Sequence, residues 1–191
     1  MNSQTTQENG NTLINVELSP LTEHSPIATF ICSGDPANDA LQRFLYTSAV
    51  RAQTLHLAHT TIATLNNNVI GYITYGIDSL DIGADDAKAI GLQADDEVPV
   101  LQIFYLAIAN GYRNRGIGSL LMDNVFEAVD YLQEKLACRL LVVTAYRAAR
   151  SYYEKYRFKA ASEATQYRTG ARNSGIGATA CTYMYLDLYD E

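Results

Sequence analysis

Arg113-Asn114-Arg115-Gly116-Ile117-Gly118-Ser119 is the stretch whose reading decides the fold. It follows an apolar run, Val98-Pro99-Val100-Leu101-Gln102-Ile103-Phe104-Tyr105-Leu106-Ala107-Ile108, that reads as a buried strand. It leads into Leu120 to Leu136, where Ile117, Leu120, Leu121, Asn124, Val125, Ala128, Val129, Leu132 and Leu136 fall on one helical face. A strand, a glycine-punctuated turn and a helix start make an anion-binding corner. Backbone N–H groups converge there, and the positive end of the helix dipole adds to them. Glycine at 116 and 118 lets a phosphate approach the main chain with no Cβ in the way.

Working outward, Arg139 to Ala145 is a continuous Leu/Val run, read as a central strand buried on both faces. Ala148 to Tyr156 reads as a short helix with three tyrosines on one side, and Thr179 to Leu188 as a closing strand. Upstream, Leu13 to Leu18 alternates as a first strand. Ser33-Gly34-Asp35-Pro36 caps a helix that buries Leu41, Phe44, Leu45, Ser48, Ala49 and Ala52. Thr60 to Leu65 and Val69 to Tyr75 flank Asn66-Asn67-Asn68, a hairpin signal because Asn tolerates positive φ. Gly76 to Glu97 reads as an acidic connection with a short helix near Asp85 to Ile90. Met1 to Thr12 is polar and aperiodic, so residues 1–12 are expected to be a disordered tail and 13–191 a single domain. The order of elements implies a mixed α/β sheet with helices on both faces.

The bulk numbers exclude several classes. At 191 residues and 48% apolar, the chain can bury a core without metals or disulfides. Cys32, Cys138 and Cys181 are odd in number and form no C-x-x-C pair. With no signal-type segment at the N-terminus, they read as reduced thiols in a cytoplasm. No stretch approaches the roughly 18 apolar residues of a membrane span. The net charge is −7, and Asp78 to Glu97 carries seven acidic residues against Lys88 alone. Arg139 to Arg172 is the basic counterpart, with eight cationic residues against Glu154 and Glu163. A pI of 4.9 argues against non-specific nucleic-acid binding, while the basic third can still meet phosphates. His56 and His59 sit at i, i+3 spacing and read as surface histidines, so no metal site is expected.

A Rossmann fingerprint and a P-loop are both missing. The element Arg113-x-x-Gly116-x-Gly118, five residues after Leu106-Ala107-Ile108, instead resembles the acyl-CoA pyrophosphate loop of the GNAT superfamily of N-acetyltransferases. About thirty residues downstream, Ala149-Arg150-Ser151-Tyr152-Tyr153-Glu154-Lys155-Tyr156-Arg157-Phe158 is similar to that family's A-x-x-F-Y-E-K-x-G-F element. Phe30-x-Cys32-Ser33-Gly34, Leu41-x-x-Phe44-Leu45, Ala49-x-x-Ala52-Gln53 and Val98-Pro99-Val100 look like the branch of GNAT toxins that acetylate aminoacyl-tRNA. The chain departs from pattern at Tyr105 and Ala109, which flank the motif strand, at Tyr146, and at Arg157, where the family has Gly.

The resemblance implies a GNAT-like fold: a mixed, mostly antiparallel sheet with a central splayed strand pair and helices on both faces. It implies direct transfer of acetyl from acetyl-CoA to a primary amine of a small molecule or peptide, with no metal. Leu106, Ala107 and Ile108 would pair with the pantetheine arm. Backbone N–H groups of Arg113, Asn114, Arg115, Gly116, Ile117, Gly118 and Ser119 would hold the pyrophosphate, with both arginines adding charge. Tyr153 would protonate the departing thiolate. Glu97, Asp96, Tyr105 and Asp78 stay open as the base, and a homodimer is a family-level expectation. Two alternatives stand beside this reading. One is a toxin-type aminoacyl-tRNA acetyltransferase with a partner antitoxin. The other is a non-catalytic acyl-CoA-binding module. Ser174-Gly175-Ile176-Gly177 is a look-alike followed by a strand-like segment, so it reads as a loop without converging N–H groups.

Overall fold

Asn66 and Asn67 take left-handed angles, φ 50° and 60°, and close the hairpin that their side chains announce. The computed structural model in which they sit describes residues 2–6, 14–94, 96–170 and 181–189. Ser174–Gly177 therefore lies outside the described residues. The strands are β1 (Asn2–Thr6), β2 (Ile14–Pro20), β3 (His59–Leu65), β4 (Asn68–Asp81), β5 (Glu97–Ile108), β6 (Leu140–Tyr146), β7 (Lys159–Ala160) and β8 (Cys181–Asp187). The helices are α1 (Pro36–Phe44), α2 (Val50–Thr54), α3 (Ala84–Ala89), α4 (Ile117–Gln133), α5 (Arg150–Glu154) and α6 (Glu163–Arg168). The class is mixed α/β, as the chain order implies, and the sheet is mostly antiparallel, as the family resemblance implies.

The chain divides into two compact units, Met1–Gly76 with Phe104–Ala128, and Ile77–Ile103 with Val129–Glu191. In the first, strands follow the order β1-β2-β3-β4-β5. Its core joins Phe30, Leu45, Ala49, Ile62, Tyr72 and Ala107. Asp35 caps α1, accepting from the N–H groups of Ala37 and Asn38 at 3.0 and 2.9 Å, with Pro36 at the first helical position. Between α1 and α2 the helix widens into a π turn over Leu45–Ala49. Tyr72 is fully buried and donates its hydroxyl to the Leu41 carbonyl at 2.7 Å, so its polar end is satisfied.

In the second unit the order is β5-β6-β8-β7. β5 and β6 are parallel, with register from Val100↔Leu140 to Ile103↔Val143. Val98, Val100, Leu140, Val142, Tyr183 and Tyr185 form its core with Leu80 and Ile82. Arg139 grips Asp187 with two hydrogen bonds of 2.8 Å and reaches the Ile90 carbonyl at 2.8 Å. This bidentate, half-buried pair fixes the end of β8.

Four expectations need correcting. Asn2–Thr6 is not a disordered tail: it pairs antiparallel with β2, from Asn2↔Leu18 to Thr6↔Ile14. A ladder needs only N–H and C=O groups, so composition alone does not exclude it. β4 runs on through Gly76 to Asp81, into the stretch read as a connection. The Ala148 to Tyr156 helix splits into a 3-10 turn, Arg147–Ala149, followed by α5. Finally, α4 stops at Gln133 and leaves Leu136 exposed, so that residue is not part of the buried face.

Candidate active site

Ala107 faces the first unit's core, and Leu106 and Ile108 alternate to the other side of β5 as strand geometry requires. Gly71 on β4 explains how closely the helix start can approach. A Cβ there would stand 3.0 Å from Ile108 Cδ1, 3.1 Å from Ile117 Cγ2 and 3.2 Å from Leu121 Cδ1. Glycine therefore lets β4, the end of β5 and the first turn of α4 share one tight contact.

Past Ile108 the chain is pinned from outside. The N–H of Ala109 donates to the Ile70 carbonyl at 2.9 Å and that of Asn110 to Ile31 at 2.7 Å. The Asn110 side chain donates to the Ser33 carbonyl at 2.9 Å, and Arg113 reaches the Cys32 carbonyl at 3.3 Å. Gly111 (φ 81°), Asn114 (φ 61°) and Gly116 (φ 81°) are left-handed. Such residues alternating with ordinary ones are the backbone pattern that turns N–H groups into an anion-sized concavity. Gly116 accepts the helix's first bond, from Leu120 N–H at 3.1 Å. The N–H groups of Ile117, Gly118 and Ser119 then belong to the first turn of a 17-residue helix, where no intrahelical acceptor exists. Arg113, Asn114, Arg115 and Gly116 are exposed. The Arg115 guanidinium lies 5.8 Å over the Tyr112 ring. Burial pushes the Cys32 thiol up, and Arg113 partly opposes it.

All ten positions assigned to the donor, Leu106 to Ser119, thus form one strand–turn–helix corner in the first unit. Its donors and charges suit a pyrophosphate, which needs several N–H groups and cationic side chains. Tyr105, one of the candidate bases, stacks on Phe44 with ring centroids 3.8 Å apart and planes at 19°, so its ring is a packing element. His59 is half-buried, not a surface residue, and burial lowers its imidazole pKa.

Tyr153 belongs to the second unit. It is 5% exposed and meets Tyr152 and Phe158 edge-on, at 5.3 and 5.6 Å between centroids. Burial raises its phenol well above the ordinary tyrosine value. The proton is therefore held on the oxygen throughout the neutral range. Arg157, at the family's Gly position, has φ 68°, so the site demands the conformation for which glycine is suited. Arg157→Gly is expected to raise stability by about 1 kcal/mol, the left-handed strain less the extra freedom of unfolded glycine. Thermal unfolding measures it, and an unchanged midpoint would show that the strain is relieved elsewhere.

Tyr183 and Tyr185 are also raised by burial, Tyr185 to about 12 with the Asp86 carboxylate adding to the effect. Because these folded values lie above the unfolded one, their neutral forms support the fold fully below pH about 10. That support is lost as pH rises through the folded values. Alkaline titration followed by circular dichroism should show a stable fold to pH about 10 and unfolding above it, coincident with tyrosinate absorbance.

Residues 27–158 match the model of the acetyltransferase (GNAT) family. The chain belongs to the GNAT acetyltransferase family. As a GNAT protein it is an acyltransferase of the N-acetylating kind. No curated protein sequence matches it. Among solved structures it is similar to a bacterial toxin, at 20% identity and TM-score 0.73, with 92% of each chain covered. It is also similar to AtaT complexed with acetyl-methionyl-tRNAfMet, at 17% identity and TM-score 0.69, covering 91% of this chain and 95% of that one. A third is a Tyr-to-Phe mutant AtaT toxin bound to the C-terminus of the antitoxin AtaR and acetyl-CoA, at 17% identity and TM-score 0.67. It covers 90% of this chain and 92% of that one. At these identities the likeness establishes the GNAT fold. Among the described residues, no group of three or more His, Cys, Asp or Glu side chains is placed to hold a metal ion. No described helix is long and apolar enough to cross a membrane.

Proposed function

We propose that this GNAT protein transfers acetyl from acetyl-CoA directly to a primary amine of a small molecule or peptide. The observation that carries it is the corner of β5, the left-handed turn and α4, with first-turn N–H groups beside Arg113 and Arg115. Acetyl-CoA, when bound, supplies an activated thioester. The main chain of Leu106, Ala107 and Ile108 orients the pantetheine arm, and the N–H groups from Arg113 to Ser119 hold the pyrophosphate. The amine nitrogen bonds to the carbonyl carbon, the C–S bond breaks, and the amine loses a proton as the thiolate gains one. Tyr153 donates that proton and is reprotonated from water; burial makes its acid form the resting form. The described cysteines are all free, which supports a cytoplasmic setting. A homodimer is the assembly proposed.

Calorimetric titration with acetyl-CoA tests the donor half. Binding that weakens about tenfold in Arg113→Ala supports it, and no heat of binding overturns it. An amine panel of amino acids, polyamines, peptides and charged tRNA, read by CoA release, finds the acceptor. CoA binding without turnover across that panel would favour a non-catalytic binding module.

A second reading is a toxin-type aminoacyl-tRNA acetyltransferase checked by an antitoxin. Likeness along nine-tenths of both chains to toxins, one of them complexed with acetyl-methionyl-tRNAfMet, favours it. So does the exposed basic set Arg147, Lys155, Arg157 and Lys159 in the second unit. Growth arrest on expression, relieved by a neighbouring gene, would support this reading. Harmless overexpression would argue against it.

A further inference from the structure

The second unit holds a polar pocket of about 300 Å3, lined in part by Asp78, Asp81, Gln102, Thr144, Arg168 and Tyr183. Its floor comes from neighbouring strands, since Thr144 and Tyr183 are cross-strand partners in the β6–β8 ladder. Its wall carries both aspartates. Arg168 pairs with Asp81 and also reaches the Ile82 carbonyl at 3.3 Å, so one of the two negative charges is answered within the pocket. Asp78 bonds the N–H of its neighbour Ser79 at 2.8 Å, and no cation among the described residues pairs with it.

Tyr183 is the independent sign of a ligand. It is 4% exposed and lines the pocket. Its main-chain groups are engaged by Gln166, which donates to the Tyr183 carbonyl at 2.9 Å and accepts from its N–H at 2.7 Å. Among the described residues its hydroxyl has no hydrogen-bond partner. A buried phenol left without a partner is costly, and its oxygen and proton are both available to a molecule in the pocket.

We propose that this pocket binds the primary ammonium group of a small organic molecule. The unanswered Asp78 carboxylate supplies the countercharge. The Tyr183 oxygen and the Thr144 hydroxyl accept further N–H bonds, and the Gln102 amide completes a polar lining that gives no advantage to an apolar head. Three donors on a compact ammonium match acceptors spread over a wall and a floor better than a planar guanidinium does. A bare metal ion is a poor occupant, because no set of three or more ligating side chains is gathered among the described residues. The ligand class is the same as that of the amine proposed above as acceptor. The site, however, is argued only from the second unit, and its test needs neither acetyl-CoA nor turnover.

The test is calorimetric titration of the full chain at pH 7 with 1,4-diaminobutane and, separately, with its neutral isostere 1,4-butanediol. The diamine is expected to bind and the diol to bind at least about tenfold more weakly. Asp78→Asn and Tyr183→Phe should each weaken the diamine about tenfold, while Asp81→Asn changes it less because Arg168 already answers that carboxylate. Asp78 is exposed, so its variant keeps the probe honest if Tyr183→Phe lowers the melting point. Equal binding of diol and diamine, no diamine binding, or wild-type affinity in Asp78→Asn would each overturn the proposal. Loss of acetyl transfer in the panel above with diamine binding intact would sink the enzymatic reading and leave this pocket standing.

Discussion

Tyr153→Phe should lower kcat for acetyl transfer about a hundredfold while leaving acetyl-CoA affinity within about twofold. The substitution removes one oxygen from a ring that is 5% exposed and packed edge-on against Tyr152 and Phe158. The packing shape is conserved, so a tyrosine that only fills space would lose neither turnover nor binding. A proton donor would lose turnover alone. Burial keeps the phenol protonated at rest, so a proton is in place on the oxygen when the thiolate develops. Pre-steady-state release of CoA, measured beside calorimetric binding, separates the two outcomes. Unchanged turnover would return Tyr153 to the core and leave the thiolate to take its proton from water.

Asp86→Ala should cost about 3 kcal/mol of folding stability, equivalent to roughly 6–12 °C in the melting temperature of a chain this size. Asp86 is 6% exposed and accepts from Ser162 N–H at 2.9 Å, Ser162 Oγ at 2.7 Å and Thr165 Oγ1 at 2.5 Å. Thr165 Oγ1 in turn accepts from Gly83 N–H at 2.8 Å. The carboxylate thereby joins α3 to the start of α6, where Ser162 is also the N-cap. Truncation strands these donors in a buried place, so the loss exceeds that of a surface acid. Urea unfolding of the variant measures it. A change below about 1 kcal/mol would mean that water replaces the carboxylate there.

The first unit's corner was legible because its chemistry is local. Gly116, Gly118 and the apolar period beginning at Ile117 are neighbours in sequence, and backbone geometry follows from them directly. The Asn66-Asn67 hairpin was legible for the same reason. What composition hid was pairing. Asn2–Thr6 has no apolar alternation, and its place beside β2 is a property of two backbones that no single segment carries. α6 was missed although Ser162-Glu163 offers a cap and a first-turn acid, because the segment is six residues long and holds little apolar period. The pocket around Tyr183 was out of reach altogether. Asp78, Gln102, Thr144 and Tyr183 come from four strands, and no spacing rule brings them together. Arg157 shows the reverse case. Its departure from the family's glycine was visible in the sequence, but the left-handed angle that gives the departure meaning required the structure.

The turn after β5 takes its shape from acceptors some eighty positions earlier, the carbonyls of Ile31, Cys32 and Ser33. Residues 109–119 therefore are not a portable cassette. Transplanted into another strand–helix frame, they would carry their glycines and arginines along and leave behind the three oxygens that hold Asn110 and Arg113 in place. The motif's identity is written in one stretch, and its preorganisation is leased from another.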